Sequence, residues 1–170
     1  MDSDFELALR ELEKGPLAHR VLAMLSSPSC AERDAFVAFW GILGGERKRE
    51  IIASMAEAAE QSFELDFVDF FRHCLGDSEP AVRRLAIAGL WEDERTDLIR
   101  SLLKVVSSDP DVEVRAAAAT SLGRFVFMAE CDELDQQYAS MIQETLERII
   151  KGPSEPVAVV RRAIESIAFI

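Results

Sequence analysis

Apolar positions along this chain recur at intervals of three and four residues, and period-two alternation of β-branched residues is absent. That pattern predicts an all-α fold without strands. Helices are expected near residues 3–14, 17–26, 31–43, 46–62, 65–75, 80–91, 95–107, 112–129, 134–151 and 157–169. Gly15-Pro16, Ser26-Ser27-Pro28, Gly44-Gly45, Gly76-Asp77, Asp109-Pro110 and Gly152-Pro153 punctuate them, because Gly closes a helix and Pro is tolerated only in its first turn. Short links between such helices make neighbours antiparallel, so the expected building block is the helical hairpin.

Three segments repeat one another. DSEPAVRRLAIAGL (77–90) aligns with DPDVEVRAAAATSL (109–122) and with EPVAVVRRAIESIA (155–168). Each has an acid six residues before an Arg, in the pairs Asp77/Arg83, Asp109/Arg115 and Glu155/Arg161, and a Val directly before that Arg. The Arg-to-Arg spacing is 32 and then 46, the second widened by the longer connection from Gly123 through Leu134. Such self-similarity marks a solenoid, in which each hairpin buries its apolar face only against its neighbours.

The residues of the repeat have physical reasons. An acid where a helix begins can accept unpaired N–H groups and oppose the positive end of the dipole. Pro80, Pro110 and Pro156 stop one helix and open the next. Apolar stripes are expected on Val82, Leu85, Ala86, Gly89 and Leu90, on Val114, Ala117, Ala118, Ser121 and Leu122, and on Val160, Ala163, Ile164, Ile167 and Ala168. Their many small residues allow close helix approach.

The D-x-x-x-x-V-R opening and A-x-x-x-L/I ending over residues 65–170 resemble HEAT repeats, most closely the phycobilisome-lyase-type HEAT-like repeats. The resemblance implies an α-solenoid of HEAT/armadillo type whose second helices line a concave face. It also implies a structural ladder in which Asp77, Asp109 and Glu155 pair near Arg83, Arg115 and Arg161 along the stack. Residues 1–62 lack the signature and read as degenerate N-terminal capping hairpins, with about three repeats over 63–170 in one helical-repeat domain. The last segment ends on Ile-Ala-Phe-Ile without a polar cap, which implies either the N-terminal part of a longer repeat protein or an end covered by another chain. Self-association through Ile164 and Phe169 follows from the second case.

Composition narrows the functions. The net charge is −12 over 170 residues, with a pI near 4.6, which argues against nonspecific nucleic-acid binding. Three cysteines without a CxxC pair fit a reducing compartment. The start MDSDFELALREL has no signal-peptide organisation, and the longest apolar run, Ala35 to Leu43, is too short to span a bilayer, so the expected location is cytoplasmic.

Candidate chemistry is sparse. Some HEAT-repeat enzymes, the deoxyhypusine hydroxylases, hold iron with His-Glu pairs, but His19 and His73 are the only histidines and neither precedes a Glu. Asp69 and His73 form an i, i+4 pair beside Cys74, and no metal site is expected from them. HEAT-like DNA glycosylases use basic grooves and aromatics. Trp40, Trp91 and the recurring arginines could make a local stripe of that kind, although Arg83, Arg115 and Arg161 already serve the ladder. Bilin lyases are suggested by the repeat subtype, with Cys30, Cys74 and Cys131 as thiols, yet lone helical cysteines usually serve as small hydrophobes. The acidic run Glu57, Glu60, Glu64, Asp66 and Asp69 reads as a solvated face, or as a docking patch for a basic partner. Gly-rich phosphate loops and GxSxG are missing.

These readings point to a non-enzymatic scaffold without cofactor that presents its concave face to a peptide or protein. Its candidate contacts are Trp91, Arg84, Arg124 and Arg162, with inter-repeat packing as the competing role for Trp91. An enzyme or enzyme subunit of bilin-lyase type is the alternative.

Overall fold

The structure is a computed structural model that describes residues 4–168. Among the described residues there are ten helices and no strand: α1 (Asp4–Lys14), α2 (His19–Ala23), α3 (Cys30–Ile42), α4 (Gly45–Gln61), α5 (Val68–Cys74), α6 (Pro80–Gly89), α7 (Thr96–Ser108), α8 (Val112–Glu130), α9 (Gln136–Lys151) and α10 (Val157–Ile167). Every stretch with helical period is helical, with ends displaced by about three residues at most. Local chemistry sets several starts. Ser29 and Glu32 form a reciprocal capping box on α3, and the carboxylates of Asp111 and Asp135 cap α8 and α9.

The chain divides into two compact units, Met1–Leu90 and Trp91–Ile170. Residue 62, where the repeat signature is lost, lies inside the first unit. Helix α4 packs on α6 and α3 on α5, so the first copy of the repeat shares its core with the residues before it.

The first unit is built around aromatic rings. Phe36 stacks on Phe70 at 4.0 Å between centroids and on Trp40 at 5.2 Å, and Phe5 leans on Phe70. Phe67, Phe71, Ile51, Ile52 and Met55 complete a core from which water is excluded. Each such side chain stabilises by roughly 1.5–3 kcal/mol on burial.

The second unit pairs α7 with α8 and α9 with α10, and packs α8 against α10. Its core is aliphatic and small: Leu98, Ile99, Leu102, Ala118, Ala119, Leu122, Ile142, Leu146, Val159 and Ala163. A Cβ built at Gly123 would lie 2.9 Å from the Ser166 hydroxyl oxygen, so glycine there permits the approach of α10. Ser166 donates to the Ala119 carbonyl at 2.8 Å.

That contact corrects the expected stripe of the last helix. The buried face of α10 is Val159, Ala163 and Ser166, not Val160, Ile164 and Ile167. Turning Ser166 inward to satisfy its hydroxyl on α8 rotates the helix by about one position, roughly 100°. Val160 and Ile167 are then half-buried, and Ile164 is 49% exposed. The equivalents of Val160 and Ile164, which are Val82 and Ala86 in the first copy and Val114 and Ala118 in the second, are buried. Phe169 and Ile170 lie outside the described residues.

Candidate functional site

Helix α6 ends at Gly89, and Trp91 follows in the turn as the first residue of the second unit, 57% exposed. The loop behind it is fixed from two sides. Arg124, on α8, donates through one terminal nitrogen to the Trp91 carbonyl and through the other to the Asp93 carbonyl at 2.8 Å. Asp93 is buried, and its carboxylate accepts from the Arg95 backbone N–H at 3.2 Å and from Arg95 Nε at 3.0 Å. The Arg124 guanidinium also lies 4.4 Å from the Phe125 centroid and 5.8 Å from that of Trp91. Burial draws the Arg124 pKa below its ordinary value, while Asp93 and Glu94 act in the opposite direction.

This geometry gives the four candidate contacts different roles. Trp91 offers its ring to solvent. Arg124 spends its terminal donors inward and acts as a clamp on the loop. Arg162, half-buried on α10, pairs with Glu165 at 2.7 Å. Arg84, in the first unit, is exposed on α6 and has no ion pair among the described residues. Phe127 was not singled out from the sequence, where an apolar residue on a helix reads as core, yet it is 57% exposed on α8.

The ladder residues take up more varied contacts than the repeated sequence implied. Arg115 donates to the Asp109 carbonyl at 3.2 Å and to Glu155 Oε2 at 3.1 Å, so it joins the link before α8 to the link before α10. Arg83 donates to the carbonyls of Asp77 and Ser78 at 2.8 and 3.2 Å. Arg161 departs from the pattern. Its side chain is 63% exposed and pairs with Glu165 on its own helix at 3.5 Å, while Glu155 is taken by Arg115. The repeated acids also differ from the expected helix caps. Asp77 Oδ1 accepts from the N–H of Glu79 and Asp109 Oδ1 from that of Asp111, each at 2.9 Å, so both tighten the link ahead of the helix rather than cap its first turn.

The second oxygen of Asp77 organises a polar node that sequence spacing did not reveal. Trp40 Nε1 donates to it at 2.7 Å and Lys48 Nζ at 2.9 Å, with the Lys48 ammonium 5.4 Å from the Trp40 ring. Burial acts to raise the Asp77 pKa, but the donors from Glu79, Lys48 and Trp40 outweigh it and hold the carboxyl below its ordinary value. Trp40 is thus a buried structural residue, unlike Trp91.

The three cysteines are unbridged. Cys74 is buried in the first unit, and burial raises its pKa strongly, which disfavours the thiolate needed for nucleophilic chemistry. Cys30 and Cys131 are exposed. Asp69 is engaged by Arg33 at 2.7 Å. Among the described residues, no three His, Cys, Asp or Glu side chains are grouped to hold a metal ion, and no helix is long and apolar enough to cross a membrane.

A family profile for HEAT repeats matches residues 68–168. No curated protein and no solved structure matches.

Proposed function

Because the chain belongs to the HEAT-repeat family, we propose that it is a non-enzymatic scaffold that binds a peptide or protein on the second-helix face of its repeats. The observation that carries this reading is Trp91: a large aromatic ring, over half exposed, on a loop clamped by Arg124. An aromatic anchor whose backbone is already ordered loses little conformational entropy on binding, which is how a few residues come to dominate an interface. Arg162 is a secondary contact in the second unit, and Arg84 is a separate candidate contact on α6 of the first. The D-x-x-x-x-V-R opening supports placement near the phycobilisome-lyase-type repeats, and the free cysteines support a cytoplasmic setting.

Affinity capture with the native chain and with Trp91→Ala, followed by titration of the purified partner, tests the reading. Trp91→Ala should weaken that partner by more than about tenfold, on the order of 2 kcal/mol, without lowering the melting temperature. Equal affinity in the two proteins would overturn it. Self-association through the last repeat is proposed on a separate observation, the exposure of Ile164 where its repeat equivalents Ala86 and Ala118 are buried. Sedimentation should then shift toward monomer in Ile164→Glu; a native chain that is monomeric throughout refutes this part.

A further inference from the structure

The surroundings of Trp91 specify what it would recognise. Arg124 and Phe127 are three residues apart on α8 and so share a face, with Phe127 about 4.5 Å further along the helix axis. Arg124, one turn before Phe127, reaches the Trp91 loop, and the side chains of Trp91 and Phe127 are both exposed in the second unit. Exposed carboxylates border both ends. Glu92 and Glu94 lie on the loop, while Glu130, Asp132 and Glu133 follow Phe127 where α8 ends. None of the five makes an ion pair or a side-chain hydrogen bond among the described residues. The nearby cations are committed: Arg124 to backbone carbonyls, Arg95 to Asp93. The negative end of the α8 dipole lies at Glu130, Asp132 and Glu133.

We infer that the Trp91–Phe127 face of the second unit receives a basic segment with an apolar anchor, the anchor packing on the two aromatic rings and lysine or arginine side chains meeting Glu92, Glu94 and Glu130. This rests on the scaffold reading and adds the chemistry of the partner. Charge selects among occupants. Nucleic acid would bring phosphates against five carboxylates, and a second copy of this same face would bring those carboxylates against themselves. A basic segment gains from the carboxylates, and its cations can also lie over the exposed ring.

The probe is a short lysine-rich synthetic peptide with one central leucine, and its counterpart with glutamate for lysine is the control. The chain has two tryptophans, so its two indole N–H resonances report separately, with Trp91 assigned through Trp91→Phe. The lysine peptide should shift the Trp91 signal saturably and leave buried Trp40 unmoved. Combined Glu92→Gln, Glu94→Gln and Glu130→Gln substitutions should weaken it about tenfold at low ionic strength. The proposal falls if the Trp91 signal does not respond to the lysine peptide, if the glutamate peptide binds as well, or if the neutralised variant binds unchanged. A partner that is lost on Trp91→Ala while the lysine peptide fails to bind would leave the scaffold standing and remove only its basic ligand.

Discussion

The two units solve the same packing problem with different side chains. In the first, where helices run from five residues in α2 to seventeen in α4, the core is filled by Phe5, Phe36, Phe67, Phe70, Phe71 and Trp40. In the second, similar hairpins nest through Ala116, Ala118, Ala119, Gly123 and Ala163, and Phe125 is its one fully buried ring among the described residues. Large rings tolerate irregularity because one side chain contacts several helices. Small residues demand regularity, because helix backbones approach closely only where every facing position is small. The recognisable repeat is therefore strongest where side chains are smallest.

Substitutions that invert these strategies break the comparison. The largest effect is expected from Phe36→Ala, which removes the ring shared by Trp40 and Phe70 and should cost about 3–5 kcal/mol in thermal unfolding. A loss below about 1 kcal/mol would mean that the aromatic cluster does not organise the first unit. In the second unit the damaging change is addition of bulk. Gly123→Val places atoms where Ser166 already stands and should cost roughly 1–3 kcal/mol, partly recovered by Ser166→Gly. A melting temperature unchanged by Gly123→Val would show that α8 and α10 do not meet so closely.

The same contrast explains which features are legible in the amino-acid sequence. Helix positions followed from periodicity and from Gly and Pro, both local signals, and the three repeat copies followed from self-similarity. The division at Leu90 was hidden, because the first repeat copy packs on α4, whose sequence carries no repeat signature. The facing of α10 turned on one hydroxyl, Ser166, finding the Ala119 carbonyl forty-seven residues away. Asp77 stands out in the sequence as a repeated acid, but Trp40 and Lys48, which donate to its second oxygen, lie 37 and 29 residues before it, and no spacing links them. Trp91 and Arg124 were both legible as unusual residues. That one presents a surface while the other holds it in place depends on the loop between α6 and α7.

The ladder allows a finer test within the repeats. Arg115 bridges two links with its side chain mostly buried, so Arg115→Ala should cost about 1–3 kcal/mol by leaving the Asp109 carbonyl and Glu155 without their donor. Arg161 stands at the matching position but is exposed, and Arg161→Ala should change stability by less than about 0.5 kcal/mol. Equal losses in the two variants would restore the uniform ladder implied by the sequence. Equal indifference would remove the ladder altogether.

The smallest expected effect is a change in the acid limb of stability, and it is particular to the first unit. Asp77 has a folded-state pKa below its ordinary value of 3.8, because the donors from Glu79, Lys48 and Trp40 favour the carboxylate more than burial disfavours it. A group with a depressed folded pKa binds its proton more readily when unfolded. Its stabilisation is therefore complete above the ordinary value and is lost as pH falls from there through the lower folded value. Asp77→Asn cannot ionise, so it should be less stable than the native chain at neutral pH, and the gap should narrow as the medium is acidified through that window. Denaturant titrations of both proteins from neutral to strongly acidic pH measure the gap directly. A gap that stays constant across the acid range would show that Asp77 acts by hydrogen bonding alone, and that its charge does not contribute to the node with Lys48 and Trp40.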